Sequence, residues 1–154
     1  MNYLLDTNIV IIYSRDKDYA KQIETKYQLF GGDHDLYISV VTLGELDALI
    51  KKNKLGQRKI DKIEKILSGI ATIGIDYDEI ISKYGDIDAY SQGKIDRGGQ
   101  KFAAKNMGKN DLWIAATASH YDLTLLTTDK DFDHLVGEYL DLELIRLNTL
   151  TEKK

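Results

Sequence analysis

The chain has no cysteine. This excludes disulfides, zinc–thiolate centres and thiol nucleophiles. It also has no proline, and only three histidines, His34, His120 and His134. Their scattered positions offer no metal-ligand spacing. They read as structural or exposed residues, and no histidine general base is expected. The one tryptophan, Trp113, reads as a packing residue. No apolar run approaches the ~20 residues of a membrane-spanning helix. The opening Met1-Asn2-Tyr3-Leu4-Leu5 carries no basic leader and is broken by Asp6. No secretory signal and no membrane partner are therefore expected, and the expected location is the cytoplasm. Basic excess is missing too: 21 Lys and Arg stand against 25 Asp and Glu, a formal charge of −4. That weighs against diffuse nucleic-acid binding, unless the acids gather in one pocket and the bases lie elsewhere.

What is present suits one domain. A length of 154 residues and 43% hydrophobic content support a full core. The domain is expected over residues 1–148, with 149–154 a disordered tail. Short β-branched or apolar runs alternate with helical patterns. Strands are predicted at 3–5, 35–40, 70–75, 123–127 and 143–147. Helices are predicted from Thr7, over 19–30, 42–52 and 57–67, from an Asp76 cap towards Tyr90, and from about Asn110. The stretch 92–109 is glycine-rich and reads as a loop with a short helix near Phe102. This alternation predicts an α/β three-layer sandwich, a parallel sheet with helices on both faces.

In such a sheet, ligands bind beyond the carboxyl ends of the strands. Asp6 ends the first strand and Asp129 follows the fourth. Glu45 lies early in the helix after the second, and Asp111 lies in the first turn of the helix feeding the fourth. All four acids are expected at one edge. Each also has a local role. Asp6 fits a helix N-cap, and Glu45 fits a capping box with Thr42. Asp129 fits an Asx-turn, Asp131 fits the cap of the turn holding Phe132, and Asp111 suits a helix dipole that favours its ionised form. Gathered together, the carboxylates need a cation or must take up protons. An all-oxygen set favours Mg²⁺ or Mn²⁺. Phosphodiester hydrolysis follows as the reaction class. Asn8, Thr127 and Thr128 are candidate supports. Two basic groups stand out. Lys51, Lys52, Lys54, Arg58, Lys59, Lys62 and Lys65 read as a solvated face. Lys94, Arg97, Lys101, Lys105 and Lys109 approach Asp111 and read as candidates for a phosphate backbone.

Leu4-Leu5-Asp6-Thr7-Asn8, Glu45, Asn110-Asp111-Leu112-Trp113-Ile114-Ala115-Ala116 and Thr127-Thr128-Asp129-Lys130-Asp131-Phe132 together resemble the PIN-domain nucleases. Within them, the VapC toxins of toxin–antitoxin pairs are most similar. The resemblance implies a mostly five-stranded parallel sheet, a Mg²⁺- or Mn²⁺-dependent endoribonuclease, an acidic quartet of Asp6, Glu45, Asp111 and Asp129 with Asp131 as an auxiliary ligand, and a homodimer. It also implies an antitoxin whose C-terminal segment covers the acidic site, and RNA as substrate. Two other readings stay open. One is a PIN nuclease of RNA processing without an antitoxin. The other is a receiver-like Mg²⁺-binding module, which would need a phosphoacceptor aspartate such as Asp76 at the end of the third strand.

Overall fold

The computed structural model describes residues 1–98 and 102–147. Lys101 and the 149–154 tail lie outside the described residues. Five strands, β1 (Asn2–Leu5), β2 (Asp35–Ser39), β3 (Ala71–Ile73), β4 (Thr124–Thr127) and β5 (Asp141–Leu144), form one sheet in the order β3-β2-β1-β4-β5. Every pairing is parallel. The order turns about β1, whose neighbours are β2 and β4. That reversal opens the crevice in which doubly wound sheets bind ligands. A receiver-like arrangement, with its 2-1-3-4-5 order, is ruled out. Asp76 also lies beyond the end of β3 and is exposed.

Side chains alternate across the pleat, which sends β1 into two cores. Tyr3 and Leu5 join Leu36, Ile38 and Leu126 on one face. There they meet Ile9 and Val10 of α1 (Thr7–Arg15), Ile23 of α2 (Lys17–Tyr27), Leu46 of α3 (Val40–Lys52) and Ile63 of α4 (Gln57–Leu67). Leu4 and Leu125 point the other way. They pack on Ile80 and Ile87 of α5 (Asp78–Ser91) and on Leu112, Ile114, Ala115 and Ala118 of α6 (Lys109–Tyr121). The small residues of α6 let it lie close to the sheet. Trp113 is half-buried against Tyr84, ring centroids 4.2 Å apart, and serves packing.

Several boundaries differ from expectation, each for a local reason. α3 begins two residues early, because Ser39 at the end of β2 is its N-cap and accepts from the Val41 N–H at 3.1 Å. The helix α2 ends at Tyr27, before Gly31-Gly32. Gln28 takes the left-handed conformation, and Glu24 gathers the Phe30 and Gly31 N–H groups at 3.2 and 2.8 Å. α5 is preceded by Tyr77 with no side-chain cap, so Asp76 does not play that part. β5 starts at Asp141, earlier than its apolar pattern predicts, because pairing with β4 sets its register. Among the described residues no helix forms around Phe102. Phe102 instead packs against Tyr90 and His134, with centroids at 5.2 and 4.9 Å. The Lys105 N–H donates to the Ser91 carbonyl at 2.7 Å, tying the stretch back to α5. Among the described residues no helix is long and apolar enough to cross a membrane.

Candidate metal centre

The site is built on three joints where a strand passes into a helix with almost no loop. At the first, Asp6 separates β1 from α1. Its Oδ1 accepts from the Thr7 N–H at 2.8 Å, the N-cap role. Its own N–H donates to Leu126 at 2.9 Å, carrying the β1–β4 ladder one residue further. Since Leu5 pairs with Leu126, Asp6 comes to stand beside Thr127. The Thr127 hydroxyl donates to Asp6 Oδ2 at 2.6 Å and accepts from the Asp129 N–H at 3.0 Å. Asp129 in turn caps the 3₁₀ helix Lys130–Leu135, accepting from the Asp131 N–H at 2.9 Å. The cap is therefore Asp129 rather than Asp131, and the Asp131 carboxylate is left exposed.

The second joint is Ser39. With Ser39 as N-cap, Glu45 falls in the second turn of α3, too far along for the capping box expected with Thr42. Glu45 turns instead to the site. Its Oε1 accepts from the Thr7 hydroxyl at 2.7 Å. The Thr7 hydroxyl lies 2.9 Å from that of Thr42. Because Thr7 has given its single proton to Glu45, Thr42 is the donor between the two threonines. Thr7 and Thr42 are 5% and 0% exposed, so each hydroxyl needs a partner there. Sequence reasoning missed both. The available signals were the hydroxyl directly after Asp6, and the i, i+3 spacing that puts Thr42 and Glu45 on one helix face.

Asp111 arrives from the other face of the sheet, in the first turn of α6. Single carboxylate oxygens of Asp111, Asp129 and Asp131 lie within 4.8 Å of one another. Oxygens this close can share one divalent ion, and an all-carboxylate set suits a hard one. Electrostatics agree. Asp111 is pushed up to about 7, first by burial and then by the charges of Asp6, Asp129, Glu45 and Asp131. The helix dipole does not outweigh them. Asp6 is also raised, chiefly by burial, although its bonds from Thr127 and Thr7 work in the opposite direction. Among the described residues no Lys or Arg forms an ion pair with any of these acids. Among the described residues the cluster thus has no cationic side chain paired with it, and a divalent ion would supply the missing charge.

The other candidates are placed less centrally. Asn8 is exposed and lines a groove of about 650 Å³ together with Thr7, Glu45 and Asn110. The carboxylate bonds of Asp6 go to Thr7 and Thr127. Thr128 is half-buried between Thr127 and Asp129. Of the second basic group, Arg97 lies over the Tyr139 ring at 4.6 Å and pairs with Glu138 at 3.6 Å. Lys94 and Lys109 are exposed, Lys105 is half-buried and Lys101 is outside the described residues. His134 is set among Tyr90 and Phe102, its Nε2 2.7 Å from the Ser91 hydroxyl.

Comparison with known proteins is consistent with this geometry. Curated proteins give no match. A solved structure of VapBC2 from Rickettsia felis, bound to a DNA fragment from its promoter, is similar at 25% identity and a TM-score of 0.70. It covers 94% of this chain and 98% of its own. VapBC-1 from nontypeable Haemophilus influenzae is similar at 26% identity and a TM-score of 0.65, with the same coverage of 94% and 98%. DNA-bound VapBC from Salmonella typhimurium, at 19% identity, a TM-score of 0.65 and coverage of 93% and 97%, shares the fold. The family model for the PIN domain matches residues 3–138, and the chain belongs to the PIN-domain family.

Proposed function

We propose that this PIN-domain protein is a Mg²⁺- or Mn²⁺-dependent endoribonuclease, and that it is the toxin of a toxin–antitoxin pair. The observation that carries the reading is the meeting of Asp111, Asp129 and Asp131 oxygens within 4.8 Å, with Asp6 and Glu45 near enough for their charges to act on Asp111. These acids hold the ion, and the threonines hold the acids. Thr127 fixes Asp6 and the Asp129 backbone, and Thr7 fixes Glu45. A bound divalent ion supplies charge to a phosphate oxygen and acidifies a water. The groove beside Glu45 gives the strand a place to lie next to those oxygens. Lys105 and Lys109, just ahead of Asp111 in the chain, remain candidates for the RNA backbone, as do Lys94, Arg97 and Lys101.

The toxin reading draws on the VapBC structures, one of which is described as a member of a family of toxin–antitoxin systems. A partner that covers this site needs a cation to meet the acidic cluster. An arginine fork satisfies two carboxylate oxygens at once. A homodimer is proposed on the family resemblance of the sequence motifs. Incubating the purified protein with structured RNA tests the nuclease reading. Cutting should require Mn²⁺ or Mg²⁺, stop with EDTA, and be lost in a folded Asp111→Asn variant. Cutting that survives EDTA or the Asn variant overturns the reading. Growth arrest on expression, relieved by a small protein encoded next to this one, tests the toxin assignment.

A further inference from the structure

A second cavity opens beside the groove at the acidic site. The first, of about 650 Å³, runs from Thr7 and Glu45 along α3 to Lys52 and Asn53. The second, of about 660 Å³, is lined by Arg15 from the end of α1, Asn53 after α3, and Arg58, Lys59 and Lys62 of α4. Leu49 and Asn53 line both, so the two form one furrow. From Glu45 to Asn53 the helix climbs about 12 Å at 1.5 Å per residue. A single nucleic-acid strand covers that distance in a few nucleotides.

The chemistry of the far end selects an anion. Four cations from two helices line it, and no carboxylate does. All four are exposed, and among the described residues none is in an ion pair. Nearby Lys51, by contrast, is neutralised by Asp47 at 2.7 Å. Holding like charges in one hollow costs stability unless a polyanion fills it. The floor is apolar, with Leu49, Leu55 and Ile63. This is more than the solvated face that the α4 charges suggest by themselves, because Arg15 joins them from another element.

We propose that this furrow is a second binding site for the substrate, holding the phosphates of a single-stranded RNA segment on one side of the cut. The assignment of RNA rests on the nuclease reading above. The test is salt-dependent binding of a fluorescent single-stranded oligoribonucleotide to the full chain in EDTA, where no cutting interferes. Replacing Arg58, Lys59 and Lys62 together by Gln should weaken binding at least tenfold. It should also flatten the plot of log affinity against log salt by about 2, at ~0.7 for each phosphate no longer neutralised. A charge-matched control, Lys51, Lys54 and Lys65 together to Gln, removes three cations that do not line the furrow and should leave the slope unchanged. Equal losses in both variants mean that net charge alone attracts RNA, and overturn the proposal. So does an unchanged slope in a furrow variant whose circular dichroism and melting are normal, an outcome that leaves the furrow to a protein partner. Cutting by the wild type is scored separately. A furrow-dependent slope without metal-dependent cutting sinks the nuclease reading and keeps the furrow. Cutting with no furrow dependence does the reverse.

Discussion

The hydroxyl of Thr127 donates to the carboxylate of Asp6 at 2.6 Å, across 121 positions of sequence. Thr127 is 0% exposed, and the same oxygen accepts from the Asp129 N–H. One buried hydroxyl therefore sets two of the acids at once. Thr127→Val keeps the shape and removes both bonds, leaving a buried carboxylate and a backbone N–H short of partners. The expected loss is ~1–3 kcal/mol of stability, with weaker Mn²⁺ binding. Thr127→Ser should restore most of both. Thermal melting and calorimetric Mn²⁺ titration check this, and a Val variant with wild-type Mn²⁺ affinity would contradict it.

Thr7 offers a contrasting case, because its bond goes to a single acid. Thr7→Val should free Glu45 to swing while leaving Asp6, Asp111 and Asp129 in place. Removing a group that orients a metal ligand typically costs roughly 10–100-fold in metal affinity or activity. That loss is expected here, with Thr7→Ser close to wild type. Because Thr42 then loses its acceptor as well, a Thr42→Val variant should act in the same direction but more weakly. Metal-dependent cleavage rates across the three variants give the order.

Asp111 makes stability depend on pH with an unusual sign. Its folded value is about 7 and its ordinary value 3.8, with burial as the first cause. Unfolded chains thus give up this proton between about pH 4 and 7, whereas the metal-free fold retains it. Over that window the unfolded state binds fewer protons, so stability falls as pH rises. Asp6, raised as well, adds in the same direction. After solvent screening, the effect is of order 1–2 kcal/mol. Melting in EDTA should drop from pH 5 to pH 8, and Mn²⁺ should cancel the drop. Asp111→Asn should flatten the profile without metal. A wild-type melt that rises over this range in EDTA would contradict the electrostatics.

His134 has the opposite sign. Burial, and then Lys105, lower it from the ordinary 6.5. The unfolded chain takes up a proton near pH 6.5 that the folded chain resists, so stability falls as pH drops through that value. Ser91→Ala removes the 2.7 Å partner of Nε2 and should cost ~1–2 kcal/mol. Since His134 shares the 3₁₀ helix with Asp131, amide exchange over 130–135 should quicken in this variant. Unchanged exchange there would show that the Ser91 bond does not hold the helix.

How much of this is legible in the sequence varies by element. The 57–67 helix is readable to its ends, because Ile60, Ile63 and Ile66 recur at helical spacing and nothing in tertiary structure competes with them. The parallel sheet and the acidic edge follow from the order of strands and helices together with the positions of Asp6 and Asp129. The start of α3 misleads, since Thr42 with Glu45 imitates a capping box. The true cap, Ser39, is also the last residue of a strand. The threonine bonds are invisible because they join positions 35 and 121 residues apart. Local pattern carries no information about such pairs. The furrow escapes for the same reason, since Arg15 is remote in sequence from the α4 cations it joins.

The placement of β4 between β1 and β5 bears on how the chain is made. Asp6 emerges early during synthesis, yet its partner Thr127 and the neighbour Asp129 emerge near the end. Pairing so distant in sequence is formed late and all together. A growing or truncated polypeptide thus has no assembled centre. The acidic cluster is therefore complete only once the last strands have docked beside β1.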